Sequence, residues 1–203
     1  MKIGPKYKIA RRLGAPVFEK TQTQKFAVSQ ARREKSSRTF SRPKSEYGSQ
    51  LLEKQKARYT YCLTEKQFSR YAKNALAKKD TNASSRLYEN LELRADNVAF
   101  RAGFAPTRLS AKQLISHGHM LINDKRITTP SYKLSVGNSI SIRPNSKDKA
   151  LFSAMEDRLK TYSPPIWIKF DQKTKTASIQ SLPKQEGSET LFDFKSVLEF
   201  YSR

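Results

Sequence analysis

The sequence is poor in cysteine, histidine and long hydrophobic runs. Cys62 is the single cysteine among 203 residues, so no internal disulfide can form and the four ligands of a structural zinc site are not available from thiols. No stretch approaches the roughly 18 apolar residues of a membrane-spanning helix. The basic residues 1–12 are followed by no apolar segment of a secretory signal. We therefore expect no metal, no other cofactor and no membrane, and a reducing cytoplasm fits.

Acidic residues are also scarce, whereas basic residues are in large excess. The chain has 40 Lys and Arg against 18 Asp and Glu, a net charge of +22. Residues 1–90 carry +15 of this charge, residues 91–144 carry +5 and residues 145–203 only +2. So large an excess predicts an acidic partner, and nucleic acid is favoured over an anionic membrane. We expect the first part to make most phosphate contacts and the last part to be mainly structural.

The N-terminal half changes character near Gly48. Residues 1–49 show no apolar periodicity, which predicts an irregular basic arm that becomes ordered on a phosphate backbone. Beyond Gly48, the apolar spacing predicts two helices, the second of which begins at Thr64 paired with Gln67. Most basic side chains of these helices fall off their apolar faces, as expected for contact with phosphate.

The middle of the chain predicts two short helices followed by a small, strongly curved sheet. Gly103 is suited to end the first helix and Thr107 to cap the second. The period then changes to two, most clearly at residues 139–142, and turns are predicted at residues 123–124 and 137–138.

This middle segment resembles the RNA-binding module named after ribosomal protein S4. The resemblance rests on RADN at 94–97, PTR at 106–108, HGH at 117–119 and PSY at 130–132. Arg108 begins a helix whose free N–H groups also favour phosphate, and Lys112 lies one turn later. With the histidines and the Lys-Arg pair that follow, they would form one basic edge along an RNA backbone.

The resemblance extends over nearly the whole chain. GPKYKIARR at 4–12, SEYGSQLLEKQKARYTY at 45–61 and LEFYSR at 198–203 resemble, in the right order, segments of the bacterial-type small-subunit ribosomal protein S4 family. Tyr7 and Ala10 stand where many members have zinc cysteines, so the chain resembles the zinc-free form.

The family resemblance implies an α+β fold. It implies a basic arm at 1–45, a helical rRNA-binding domain at 46–90 and the inserted module, which resembles the alphaL motif, at 91–144. The tail at 145–203 is expected to pack back on the helical domain.

The function implied is that of a structural, non-enzymatic protein of the small ribosomal subunit in the cytoplasm. It would bind small-subunit ribosomal RNA early and nucleate assembly of the subunit body. It would lie beside the path by which mRNA enters, contact ribosomal protein S5 and other small-subunit proteins, and affect decoding accuracy. Two alternatives carry the same module: a free-standing RNA chaperone, which has no need of the segment at 45–61, and an RNA-modifying enzyme, which needs a pocket with an acid, base or nucleophile.

Basic pattern and resemblance together predict a set of RNA-contacting residues. In chain order they are Lys6, Lys8, Arg11, Arg12, Arg42, Lys44, Tyr47, Lys54, Lys56, Arg58, Lys66, Arg70, Arg94, Arg108, Lys112, Gln113, His117, His119, Asn123, Lys125 and Arg126.

Overall fold

The computed structural model describes residues 3–36, 45–77, 82–147, 149–153, 155, 158–159, 162–185 and 190–203. They divide into two compact units. The helical unit comprises Met1–Leu87 and Gln185–Arg203, and the sheet unit comprises Tyr88–Lys184. Within the described ranges, no helix combines the length and hydropathy needed to cross a membrane.

The elements form the predicted α+β mixture. The helices are α1 (Lys6–Leu13), α2 (Gln24–Ser36), α3 (Glu46–Thr60), α4 (Glu65–Ala77), α5 (Ala83–Glu92), α6 (Ala95–Arg101), α7 (Arg108–Ser116), the short α8 (Ala150–Ser153) and α9 (Phe194–Ser202). The strands are β1 (Met120–Ile122), β2 (Lys125–Arg126), β3 (Ser139–Ile142), β4 (Ile168–Asp171) and β5 (Thr176–Ile179). Short 3-10 turns lie at Glu19–Thr21 and Pro144–Ser146.

The described part of the N-terminal arm is helical, so its prediction as irregular was wrong there. α1 buries Ala10 and Leu13 in a small apolar cluster that also contains Phe18 and Phe26. Gly14 ends α1 in the left-handed conformation, with φ of 66°, which costs glycine little. A small apolar cluster therefore packs against α1 in the structure.

Three further helices of the helical unit pack together, since α9 contacts both α3 and α4. Each begins at a side-chain cap, which satisfies a backbone N–H left free by the helix. Ser45 accepts from Gly48 N at 3.1 Å, and Thr64 accepts from Gln67 N at 3.3 Å, as the sequence predicted. Asp193 caps α9.

The first helix of the middle segment, which the sequence predicts to end at Gly103, is divided into α5 and α6. The break occurs at Leu93 and Arg94, where the backbone pairs with a later segment instead. Leu134 N donates to Leu93 O at 2.9 Å, and Ala95 N donates to Tyr132 O at 2.8 Å. The chain therefore changes direction while its apolar side chains stay buried.

The five strands form one antiparallel sheet in the order β2-β1-β3-β5-β4. Asn123 and Asp124 make the predicted turn between β1 and β2 with φ of 47° and 62°. β3 pairs with β5, with Ile140 opposite Ala177. Together, α6, α7 and the sheet enclose one apolar core, which includes Trp167.

Part of the tail, predicted to pack on the helical domain, instead extends the sheet, because β5 pairs with β3. The residues of β4 and β5 belong to the sheet unit, because their side chains join its core and their backbone continues its sheet. The chain therefore returns to the helical unit at Gln185, not at residue 145 as predicted.

Candidate nucleic-acid interface

α1 presents a basic face on the side opposite its buried residues. Lys8, Arg11 and Arg12 are exposed. Lys6 is half-buried, and its ammonium lies 5.9 Å from the centre of the Phe18 ring. Three predicted contact residues are thus open to an anionic partner, while the fourth also stabilises the local packing through a cation–π contact.

The next predicted residues precede and begin α3. Arg42 and Lys44 lie outside the described residues. Tyr47 is 51% exposed in the first turn of α3. One face of its ring is tilted against Phe200, with 5.5 Å between ring centroids, so the exposed part can still stack or donate a hydrogen bond.

Lys54 is buried, contrary to its predicted place on an RNA-facing surface. Its Nζ donates to Glu65 Oε1 at 2.9 Å and lies 4.7 Å from the centre of the Phe200 ring. Because the charge is already paired and only 6% of the residue is exposed, Lys54 stabilises the packing of the helical unit and is not available to phosphate.

Two other basic residues of α3 are partly covered. Lys56 donates to Glu53 at 2.7 Å. Arg58 donates to Gln55 Oε1 at 2.7 Å, and its guanidinium lies 4.5 Å from the centre of the Tyr59 ring. Both are half-buried, so RNA would have to compete with these contacts.

α4 carries an exposed basic stripe. Lys66 and Arg70 are four residues apart, Lys73 follows three residues later, and all three are exposed. This spacing places them on one side of the helix, while Phe68 and Ala72 bury the other side. The stripe is thus an open basic surface of the helical unit that suits a phosphate backbone.

Glu65 accepts hydrogen bonds from two other helices of the helical unit. Tyr201 Oη donates to Glu65 Oε1 at 2.6 Å, beside the bond from Lys54. Burial opposes ionisation, but these two hydrogen bonds and the positive charges of Lys54 and Arg58 together outweigh it and hold the pKa of Glu65 below its usual value. Burial, and the hydrogen bond to this carboxylate, raise the pKa of Tyr201. The tyrosine therefore remains a donor at physiological pH.

Arg94 is also buried, and its predicted RNA contact is not possible in this structure. It is 2% exposed, and it donates to both carboxylate oxygens of Asp96, at 2.9 and 2.6 Å. Nearby, Arg101 Nε donates to the buried Glu92 at 3.0 Å, and Asn97 Nδ2 donates to it at 2.7 Å. These paired charges fix the connection between α5 and α6.

Arg108 is half-buried at the start of α7. Its Nε donates to Asn97 Oδ1 at 2.8 Å, and its guanidinium lies 4.4 Å from the centre of the Phe100 ring. Thr107 caps the helix by accepting from Ser110 N at 3.1 Å, as predicted. The arginine is therefore held in one orientation at a helix end where free N–H groups favour an anion.

The remaining predicted residues of the module lie on α7 and on the β1–β2 hairpin. Lys112 is half-buried, whereas Gln113, His117, Lys125 and Arg126 are exposed. All of them belong to the sheet unit, so most of the basic edge expected of this module is open in the structure.

Two predicted residues have structural hydrogen bonds. Asn123 Oδ1 accepts from Ser139 N at 2.8 Å, which fixes the β-turn to β3. His119 is half-buried, and its Nδ1 lies 3.0 Å from Ser146 Oγ. An RNA contact at Asn123 would therefore use the amide nitrogen, while His119 keeps Nε2 for a partner.

The side chains on these surfaces supply positive charges and hydrogen-bond donors. Among the residues that the structure describes, no group of three or more His, Cys, Asp or Glu could hold a metal ion. Cys62 is buried. The two units thus offer separate sets of exposed basic side chains suited to a polyanion.

Two family models match consecutive parts of the chain. The model described as the ribosomal protein S4/S9 N-terminal domain matches residues 1–92, and that of the S4 domain matches residues 93–140. The chain belongs to the ribosomal protein S4 family.

Curated relatives agree with this family. The small ribosomal subunit protein uS4 of Dehalococcoides mccartyi is 38% identical over 113 residues, which is 56% of this chain and 55% of the relative. The uS4 protein of Chlorobium phaeovibrioides is 38% identical over 131 residues, 64% of each chain. The uS4B protein of Nitrosomonas europaea is 40% identical over 127 residues, 62% of each. The chain thus spans little more than half the length of the first of these relatives.

Sequence reasoning missed two basic residues beside the module. The structure places Arg143 and Lys149 close enough to His119 for their charges to act on it. The strand pattern could have indicated the position of Arg143 beside His119. β3 is antiparallel to β1, with Ile142 opposite Met120, so the residue after β3 must return beside the residue before β1.

Proposed function

We propose that the chain is a structural, non-enzymatic protein of the small ribosomal subunit that binds small-subunit ribosomal RNA. The observation that carries this proposal is the match of both family models, in order, to residues 1–140. The relatives bear the name of a small-subunit protein. The exposed basic side chains of α1, α4 and β2, together with the half-buried Arg108 and Lys112 of α7, supply the charge that such a partner requires.

The finer features implied by the resemblance are part of this proposal. The protein nucleates assembly of the subunit body in the cytoplasm, lies beside the path of entering mRNA and contacts ribosomal protein S5. Both units contribute to RNA binding, the helical unit through α1 and α4 and the sheet unit through α7 and the hairpin. A net charge of +15 on residues 1–90 makes the first unit the main source of long-range attraction.

Sedimentation of ribosomal particles tests the assembly role. Small subunits from cells that produce the chain are purified at high salt, and their protein content is quantified by mass spectrometry. We expect one copy per subunit, in a ratio equal to that of other small-subunit proteins. A chain found only in the soluble fraction, or only on immature particles, would support an RNA chaperone instead.

Binding measurements test the role of α1. The full chain and a variant with Lys8, Arg11 and Arg12 changed to Gln are titrated with a small-subunit rRNA transcript at several salt concentrations. Each lost phosphate contact makes the log–log salt dependence shallower by about 0.7–0.9. We expect the slope to fall by about two to three in total. Equal slopes would show that α1 makes no net phosphate contact.

A further inference from the structure

A set of basic side chains surrounds one histidine at the end of the module. We call this set the His119 cluster; its members are His119, Arg126, Arg143 and Lys149. They come from four places in the sheet unit: the residue before β1, strand β2, the residue after β3, and the segment after the 3-10 turn Pro144–Ser146. The cluster thus joins the module to residues beyond its predicted end at 144.

Backbone and side-chain contacts fix the central part of the cluster. Arg143 N donates to His119 O at 2.9 Å, continuing the pairing of β3 with β1. The buried Ser146 places its Oγ 3.0 Å from His119 Nδ1. Gly118 has φ of 69°, and a Cβ at this position would overlap the guanidinium of Arg126. The glycine therefore lets Arg126 lie directly over the backbone beside the histidine.

The described charges that act on His119 are all positive. Among the described residues, no carboxylate forms an ion pair with Arg126, Arg143 or Lys149. The titratable or charged groups that act on His119 are Lys149, His117, Arg126 and Arg143. Positive charges gathered at one place repel one another, and an external anion would relieve this repulsion.

We propose that the His119 cluster is a binding site for a phosphate group of the RNA backbone. The proposal rests on the RNA-binding function proposed above and extends it to Arg143 and Lys149. The two arginines supply planar forks of donors, which suit phosphate oxygens, and the lysine supplies a point charge. His119 donates from Nε2 while Ser146 holds its ring.

Binding at this site takes up a proton. In the free protein, partial burial lowers the pKa of His119, and the positive charges of Lys149, His117, Arg126 and Arg143 lower it further. A phosphate among these groups neutralises the repulsion and favours the imidazolium. The pKa of His119 is therefore higher in the complex than in the free protein, and affinity for RNA rises as pH falls through this interval.

Nuclear magnetic resonance tests the site while all four residues of the His119 cluster remain unchanged. The chain has two histidines, so two ring signals report their titration, and His117→Gln assigns them. The probe is sodium sulfate, an analogue of phosphate that does not itself titrate in this range, compared with sodium chloride at equal ionic strength. We expect sulfate to move the His119 titration to higher pH and His117 much less. No difference between the two salts would overturn the proposal.

Binding to a small-subunit rRNA transcript then tests the RNA contact. We expect Arg143→Gln and Lys149→Gln each to weaken binding about tenfold at moderate salt, the effect of one charge-assisted hydrogen bond. The matched control is Lys169→Gln, an exposed lysine on β4 of the same unit, and it is expected to change binding less than twofold. Equal losses for Lys149→Gln and Lys169→Gln would refute a specific site.

The pH dependence of RNA affinity distinguishes binding at this site from nonspecific electrostatic attraction. For the full chain, we expect affinity to rise about fivefold from pH 8 to pH 5.5, and His119→Gln to remove most of this rise while leaving the melting temperature nearly unchanged. A rise retained in His119→Gln would contradict the proton uptake. If the full chain does not prefer the transcript over an unrelated RNA, the proposed function fails, whereas the sulfate titration still decides whether the anion site exists.

Discussion

The hydrogen bond between Tyr201 and Glu65 gives a sharp test of how the C-terminal helix is held. Tyr201→Phe removes only the hydroxyl that donates to Glu65 Oε1 at 2.6 Å. The ring remains, and with it the aromatic contact to Phe68 at 6.1 Å between centroids. The variant therefore isolates one polar contact between α9 and α4, whose sequence positions are 136 residues apart.

The expected loss follows from the surroundings of the carboxylate. A hydrogen bond to a charged group contributes about 1.5–3 kcal/mol. The side chain of Glu65 is 45% exposed, and Lys54 still donates to the same oxygen at 2.9 Å. Water and Lys54 can thus satisfy much of the carboxylate, and we expect a loss in the free energy of unfolding of about 1–2 kcal/mol.

Urea unfolding followed by circular dichroism measures this loss. Trp167 lies in the sheet unit, so its fluorescence would follow the wrong part of the molecule. Tyr47→Phe is the matched control, since its ring also contacts Phe200 but is 51% exposed, and we expect it to change stability by less than about 0.5 kcal/mol. Equal effects of the two variants would refute the special role of the Tyr201 hydroxyl.

The same bond predicts a pH dependence of definite sign. The pKa of Glu65 is lowered in the folded protein, so its ionised form is more favoured there than in the unfolded chain. This contribution is present above the unfolded pKa and is lost as pH falls through the folded pKa. The difference between the wild type and Tyr201→Phe should be constant above about pH 5 and shrink below about pH 4.

Three further changes have expected outcomes. Asp96→Ala removes the carboxylate that accepts two hydrogen bonds from the buried guanidinium of Arg94 and should lower the free energy of unfolding by about 3–5 kcal/mol in urea titrations; a loss below about 1 kcal/mol would show that this ion pair contributes little to stability. Arg108→Ala should weaken binding of rRNA by about 1–3 kcal/mol in filter binding, and should also cost about 1 kcal/mol of stability because the contact with Asn97 is lost. A chelator should leave the melting curve unchanged, and elemental analysis that finds one zinc per chain would contradict the zinc-free assignment.

Local signals in the sequence predicted the module well. The cap at Thr107, the left-handed turn at Asn123 and the alternating strand β3 are all present. Each depends on interactions within a few residues, so the residue types alone are sufficient to indicate them.

Contacts between distant residues explain the wrong predictions. Lys54 is far in sequence from Phe200, and β3 is far from β5, so neither partner can be found by reading a local window. α1 buries Ala10 and Leu13 at helical spacing, but two apolar residues are too few to establish a period in the sequence. Tertiary packing decides these cases rather than local preference.

The helix faces that carry basic residues were predicted better than the contacts that each basic side chain makes. The exposed residues Lys66 and Arg70 lie where the helical pattern placed them, but Arg94 is buried with Asp96. An arginine two residues before an aspartate in a buried connection is a sign of an internal ion pair, and the basic composition of the chain obscured it.

The order of the strands also governs how the protein avoids self-association. An unpaired β3 would offer its hydrogen-bonding groups to another chain, a recognised route to aggregation. Here β5 covers it, and the free edges of the sheet are β2 and β4. β2 consists of Lys125 and Arg126, and β4 exposes Lys169 and Asp171. Both edges are short and charged, so neither edge strand of the described sheet is readily extended by a second copy.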